Sequence, residues 1–508
     1  ATTDVNGAAG FSAILDAVLP KREWRYTYNA LGKPLTVITP SNILTGTVGA
    51  TFEYYTSDSS NWKTGDLKQV TNALGQVTQY LSYDLNGRLL DMVKPDGTHQ
   101  VFTYDLRGRV LTSSVDGNTT TFTYDLAGNL TNVKLPNGVE TIYGYDAAHR
   151  LESITDKLGN RIGYTPDNAG NITNTDIRDS GGTLRFHQQQ VYDALSRVEK
   201  VIDTASNQTT YLYDANGNPT GEVDAKQQST SNTFDALDRL KLTTDALAGK
   251  TEYGYDGQGN VTQVKDARNN ATSYAYNAFG DLVSQTSPDT GTTTFLYDAA
   301  GRRTRTTDAR AVVMNYTYDA LDRLKTVVYP AATGENVTYT YDSTANGSYG
   351  IGRLASVSTT ASRLDYVYNA QGLISKKFVQ VGTSLSTIQY SYDDAGLLTG
   401  ITYPSGRTVT YVRNTAGQVQ SISTKATATS TAQTIVSNIS HLPFGPASNY
   451  TYGNGLSHSA TYDTDYRLSA IQVGGILNRS YAYDPVNNIS GITNLVTGSK
   501  SQTFGYDA

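Results

Sequence analysis

The sequence predicts an all-β chain: a long antiparallel strip of β-hairpins repeating about every 21 residues. Three observations predict it. A Tyr-x-Tyr pair recurs at fixed spacing. Most pairs are followed by Asp or Asn and, three residues later, by Gly. Second strands and return turns then fill the interval before the next pair.

The second aromatic of each pair marks the period. It falls at Tyr83, Tyr104, Tyr124 and Tyr145, then at Tyr192, Tyr213, Phe234, Tyr255, Tyr276, Tyr297 and Tyr318. The spacing loosens through Tyr341, Tyr368 and Tyr392 and resumes at Tyr462, Tyr483 and Tyr506. Four segments follow: diverged repeats over 1–80, the main array over 81–414, an irregular stretch over 415–460, and resumed, truncated repeats over 461–508. The irregular stretch includes "HLPFGPASNYTYGNGLS", read as a longer loop, an inward plug or a degenerate repeat, with the last preferred.

Within one unit, alternation places both tyrosine rings on one face of a strand. The following Asp accepts backbone N–H groups of the turn it opens. The Gly position suits positive φ in a short hairpin loop with a bulge. Where Gly is missing the slot holds His149, Ser196, Asp238 or Asp322, and His and Asp tolerate left-handed geometry. The repeat residues expected to be structural are Tyr83, Asp84 and Gly87; Tyr104, Asp105 and Gly108; Tyr124, Asp125 and Gly128; Tyr213, Asp214 and Gly217; Tyr255, Asp256 and Gly259; and Tyr297, Asp298 and Gly301.

In the second strand the aliphatics sit three apart, as in Leu130 and Val133, Leu151 and Ile154, or Leu324 and Val327. Strict alternation would put them on opposite faces. Either one packs outward or an extra residue is inserted; the bulge is the preferred reading, and it would bend the sheet the same way in every repeat. A sheet of roughly 40 strands curls and closes or winds into a spiral.

Composition agrees. The chain has 508 residues, 38 tyrosines, 46 glycines, 17% charged residues and a net charge of −6. Tyrosine supplies much of the apolar surface an ordinary core takes from Leu and Ile. The scattered basic residues argue against nucleic acid. There is no cysteine, which excludes disulfides and Cys-based zinc sites. No apolar run reaches the length of a membrane helix, and "FSAILDAVL" near the start is too short.

Chemistry is hard to place. The aspartates have a turn to cap in every repeat, and Arg88, Arg109, Arg197, Arg239, Arg302 and Arg323 follow at salt-bridge reach. His99, His149, His187, His441 and His458 share no ligand spacing. No catalytic residue, cofactor or metal is expected, and no enzyme. Sequons such as those at Asn129, Asn171 and Asn260 arise from the repeat itself.

The units "YDLNGRLL", "YDLRGRVL", "YDLAGNLT", "YDALSRVE", "YDALDRLK" and "YDAAGRRT" closely resemble the YD repeats of the Rhs family. That family includes bacterial Rhs polymorphic toxins, the shell-forming subunits of insecticidal Tc toxins and the animal teneurins. The resemblance runs from about Tyr26 to Tyr506. It implies a spiral, hollow, cocoon-like shell, secreted or at the bacterial cell surface, that encapsulates or presents a cargo or toxin domain. The Asp-Pro-rich core that follows the repeats in cargo-bearing members has no counterpart here. "YDPVNN" contains Asp484 and Pro485 but sits inside a repeat. The alternative is an extracellular fibre or adhesin of the same repeats, with tyrosine faces for surface glycans. Expected partners are a missing C-terminal cargo or further repeats, other copies of the chain, or glycans. The half-made hairpin at "FGYDA" leads to the expectation of natural sequence beyond Ala508.

Overall fold

The tyrosine pairs and turns do build strands. A computed structural model describes residues 22–506; the "FSAILDAVL" segment and the final Asp507 and Ala508 lie outside them. The described residues form a single sheet of 43 strands, joined by antiparallel hairpins. Their only α-helix is Pro40–Thr45, beside three single 3-10 turns. The expectation of an all-β hairpin strip holds.

One repeat shows the local logic. Strand Glu140–Tyr145 pairs with Leu151–Asp156. Gly144 faces Ser153 and Tyr145 faces Leu151, so Glu152 has no opposite number. The same slip leaves out Thr131 beside Leu130, Glu199 beside Val198, Lys325 beside Leu324 and Ser469 beside Leu468. The extra residue restores phase, so aliphatics three apart share a face. Of the two sequence readings the bulge is the observed one.

The turn before it closes in the same way each time. Asp146 N donates to Arg150 O at 3.0 Å, and His149 N to Asp146 O at 2.9 Å. The residue before the closing position is left-handed, with φ of 62° at His149, 61° at Ser196, 58° at Asp238 and 62° at Asp322.

The stretch 415–460 is irregular in spacing but not in structure. It carries strands Val419–Lys425, Gln433–His441 and Ala447–Tyr452, paired in sequence. These strands pair in sequence as those of the regular repeats do.

The chain divides into two compact units, each drawn from separated segments. The first holds the described residues up to Thr119 with Tyr255–Thr262 and Ala271–Gln389. Here the strip passes twice, and the passes meet turn to turn. Asp96 pairs with Arg353 at 2.8 Å, 257 residues on. Ser41 Oγ donates to Asp322 Oδ2 at 3.0 Å. The second unit holds Thr120–Gly254, Gln263–Asn270 and the described residues from Tyr390. Asn137 Nδ2 donates to Asp393 Oδ2 at 2.9 Å, 256 residues on. Thr204 donates from both N and Oγ1 to Asp465, 261 residues on. Lys226 meets Asp484 at 2.6 Å.

A single sheet gives little depth. Among the described residues the buried hydrophobics are Phe295, Val327, Ala355, Val367, Ala460 and Val473. The repeat tyrosines are half-buried. The tightest burial belongs instead to polar residues: Ser41, Asn42 and Thr98, where passes meet, and Ser356 within a strand are each 2% exposed.

Candidate functional site

The motif residues assemble a ladder at the strip's turns. The six expected aspartates each stand half-buried at the head of a turn. Asp84 Oδ1 accepts the N–H groups of Asn86 and Arg88 at 2.9 and 3.0 Å. Asp105 does the same for Arg107 and Arg109, Asp214 for Asn216 and Asn218, Asp256 for Gln258 and Asn260, and Asp298 for Ala300 and Arg302. Asp125 accepts from Gly128 and Asn129. The paired glycines all have positive φ: 76° at Gly87, 87° at Gly108, 111° at Gly128, 94° at Gly217, 90° at Gly259 and 83° at Gly301.

The second carboxylate oxygen explains why Arg or Asn follows the glycine. Arg88 Nε donates to Asp84 Oδ2 at 2.5 Å, and Arg109 and Arg302 make the equivalent bond at 2.7 Å. Where Asn stands there, its Nδ2 takes the same oxygen: Asn129 on Asp125 at 2.8 Å, Asn218 on Asp214 at 3.0 Å and Asn260 on Asp256 at 2.9 Å. Both side chains offer an N–H at that reach. At Asp84, Asp125, Asp214 and Asp256 the donors hold the carboxyl below its usual range. The Arg88 side chain does so at Asp84, Asn129 at Asp125, Asn218 at Asp214 and Asn260 at Asp256. At Asp105 burial pulls upward, and the Arg109 backbone and side-chain donors more than offset it. The Arg239 side chain takes Asp235 down to about 2.

The tyrosines tie each hairpin to the previous one. Tyr83 OH donates to Leu67 O at 2.6 Å, and Tyr213 OH to Val198 O at 2.9 Å. Tyr145, Tyr341, Tyr368 and Tyr483 repeat this on Leu130, Leu324, Leu354 and Leu468. The acceptor is the carbonyl at the start of the preceding second strand, beside its bulge. Burial raises the Tyr83 phenol pKa.

The arginine completes the link. Arg88 lies over the Tyr104 ring at 5.1 Å, Arg197 over Tyr213 at 4.5 Å, Arg302 over Tyr318 at 5.0 Å and Arg323 over Tyr341 at 4.2 Å. Arg88 and Arg197 also donate to the carbonyls of Asp105 and Asp214, one repeat on. One guanidinium thus binds its own turn, the next turn and the next ring. Sequence reasoning missed the hydroxyl acceptor and the stacking. The available signal was Tyr recurring where Phe would pack as well, with Phe234 an exception.

Other polar groups are engaged in the same manner. A cleft of about 430 Å³ in the second unit is lined by His187, Asp203, Glu222, Asp224 and Asp465. Asp203 and Asp224 cap turns there, and Asp465 receives Thr204. His187 Nδ1 lies 2.7 Å from Asp176. Among the described residues no group of three or more His, Asp or Glu is placed to hold a metal ion.

A strip of hairpins stitched this way, turn to turn and ring to guanidinium, defines a β-hairpin repeat wall protein. The chain belongs to the Rhs/YD-repeat family: residues 162–346 match the profile described as Teneurin YD-shell. Residues 62–99, 83–121, 104–140, 124–161 and 392–430 match the RHS Repeat. A search of the curated proteins finds no match. Among solved structures, TcdB2-TccC3 is similar with a TM-score of 0.72 at 15% identity, covering 96% of this chain and 31% of that one. TcdB2-TccC3 without its hypervariable C-terminal region gives 0.73 at 14% identity, covering 95% and 33%. A Photorhabdus luminescens Tc holotoxin pore gives 0.73 at 15%, covering 93% and 32%. The chain spans about a third of the length of these structures, and the likeness is one of fold.

Proposed function

We propose that this chain is a structural segment of a YD-repeat shell, part of a secreted or cell-surface Rhs-type protein, and performs no enzymatic step itself. The shell would enclose or present a cargo domain outside these residues. The observation that carries the reading is the use made of the motif. Asp, Arg and Tyr, the residues with chemical potential, spend their polar atoms on their own turns and on neighbouring hairpins. Such saturation suits a wall, whose task is to stay continuous. The likeness to TcdB2-TccC3 over nearly the whole chain supports the same reading. A fibre or adhesin using tyrosine faces for glycans fits less well, because guanidinium groups already occupy several of those faces.

The test is limited proteolysis of the complete gene product. A shell shields whatever segment it encloses, so that segment should survive protease until the sheet is unfolded, then be cut quickly. Equal cleavage rates before and after unfolding would overturn enclosure.

A further inference from the structure

Five Asn-Gly steps fall among the described residues, at Asn86, Asn137, Asn216, Asn346 and Asn454. Four of them sit in closed turns. There the glycine N–H donates to the backbone carbonyl three residues back: Gly87 to Asp84 at 3.0 Å, Gly138 to Leu135 at 2.9 Å, Gly217 to Asp214 at 3.2 Å and Gly455 to Tyr452 at 2.9 Å. Three of these asparagine side chains are held as well. Asn137 Nδ2 donates to Asp393, Asn216 Nδ2 donates to Asp238, and Asn454 Oδ1 accepts the Leu456 N–H.

Asn346 stands in an enlarged turn. Asp342 N donates to Arg353 O at 3.0 Å, eleven residues on, whereas an ordinary turn such as Asp319 N on Arg323 O closes after four. The far side of the turn is fixed. Arg353 lies on the seam between passes, against Asp96. Ser348 is 6% exposed, and its Oγ accepts the Tyr368 N–H at 3.0 Å. Before this anchor, residues 344–347 arch into solvent. Asn346 is left-handed, at φ 57° and ψ 28°, and Gly347 follows at φ 73°. The arch closes through Ser348 N on Ala345 O at 3.2 Å, and the Gly347 N–H makes no bond of the kind that ties the other four glycines.

We propose that Asn346 is a self-modification site, where the Gly347 backbone nitrogen closes on the Asn346 side chain and the amide is lost as ammonia. The bond from Gly347 N to Asn346 Cγ forms and the Cγ–Nδ2 bond breaks. The Gly347 amide proton leaves with that nitrogen. The five-membered imide then takes up one water and opens at either carbonyl, to aspartate or to isoaspartate, whose main chain runs through the β-carbon. No oxidant, metal or partner is consumed. The attack needs an unhindered nitrogen, which a residue without Cβ supplies, and a backbone free to rotate. At the other four steps that rotation must first break the turn bond. The new carboxylate stands at the rim of a cleft of about 440 Å³ also lined by Arg363 and Asp365. Ser348 and Arg353 keep their anchors, so one exposed arch gains a charge while the sheet stays continuous. This chemistry goes beyond the shell reading and does not depend on what a shell encloses.

Peptide mass spectrometry of the folded 508-residue chain, held at mildly alkaline pH and sampled over days, tests it. The peptide spanning Asn346 should turn from amide to acid ahead of the other four by roughly tenfold, the rate factor for a step that breaks no turn hydrogen bond. Both aspartate and isoaspartate should appear. In urea, where the turns are gone, the five should react at comparable rates. Asn346→Gln, which would need a larger ring, should leave that peptide unmodified over the same period. Equal rates in the folded chain, another of the five reacting first, or the same ordering persisting in urea would each overturn the proposal. So would aspartate without isoaspartate, which would mean direct hydrolysis, or undiminished modification of the Asn346→Gln peptide.

Discussion

At the scale of single residues, the tie between hairpins divides into parts that can be removed one at a time. Tyr213→Phe keeps the ring under Arg197 and deletes only the hydroxyl on Val198 O. It should cost about 1 kcal/mol, read as faster amide exchange around Val198 and Tyr213. Gly259 sits at φ +90° with nothing within 4 Å of a built Cβ. Space is not the obstacle there; backbone conformation is. Gly259→Val should cost roughly 1–3 kcal/mol, while Gln258→Val, exposed on the same turn, should leave the melting temperature nearly unchanged. Asp235 bears on acid stability. Its native pKa of about 2 lies below the ordinary 3.8, so its contribution is complete above the higher value and is lost as pH falls toward the lower. Asp235→Asn should make the urea midpoint less sensitive to pH between about 5 and about 2; an unaltered pH slope would contradict that assignment.

At the scale of the hairpin, the inserted residue decides which face everything after it presents. Deleting Glu152 would leave Leu151 and Ile154 two apart and still on one face, but would remove the bulge and the bend it gives the strip. Glu152→Ala keeps the count and should be tolerated. Exchange across Leu151–Asp156 should rise sharply for the deletion and little for the substitution. This device was legible in the sequence, because aliphatics spaced by three conflict with a period of two. The left-handed slots were legible as well, through His149 and Asp322 standing where Gly usually does. The tyrosine hydroxyl's partner was not, since a backbone carbonyl such as Leu130 O leaves no mark in the choice of side chain. The strands within 415–460 were obscured for another reason. Their spacing departs from the period, and the turn at Leu442 puts Phe444 at φ 50°, a residue no turn rule would choose.

At the scale of the whole molecule, contacts between passes set this chain apart from a repeat array in which each unit feels only its neighbours. Asp96 is 3% exposed at its side chain and faces Arg353. Arg353→Ala would leave that carboxylate without its counter-charge, a loss on the order of 1.5–3 kcal/mol for a charged hydrogen bond. Exchange should then rise near Asp96 as well as near Arg353, 257 residues away in sequence. Damage confined to the hairpins beside Arg353 would mean the seam carries no load. The seam itself was invisible in the sequence, because nothing in a local pattern couples positions so far apart.

Several of these partners keep a near-constant separation, which has a consequence for how such a chain can change length. Separations of 257 residues for Asp96 and Arg353, 256 for Asn137 and Asp393, and 261 for Thr204 and Asp465 work like teeth on two meshed racks. Losing one hairpin between two partners would leave every local turn intact yet shift the mesh by a tooth. Asp96 would then meet a different turn and lose its counter-charge. The polar pairs thus act as addresses that record how many hairpins lie between them. Hairpins can be gained or lost freely only outside the meshed span, or together with a rewriting of each address along it.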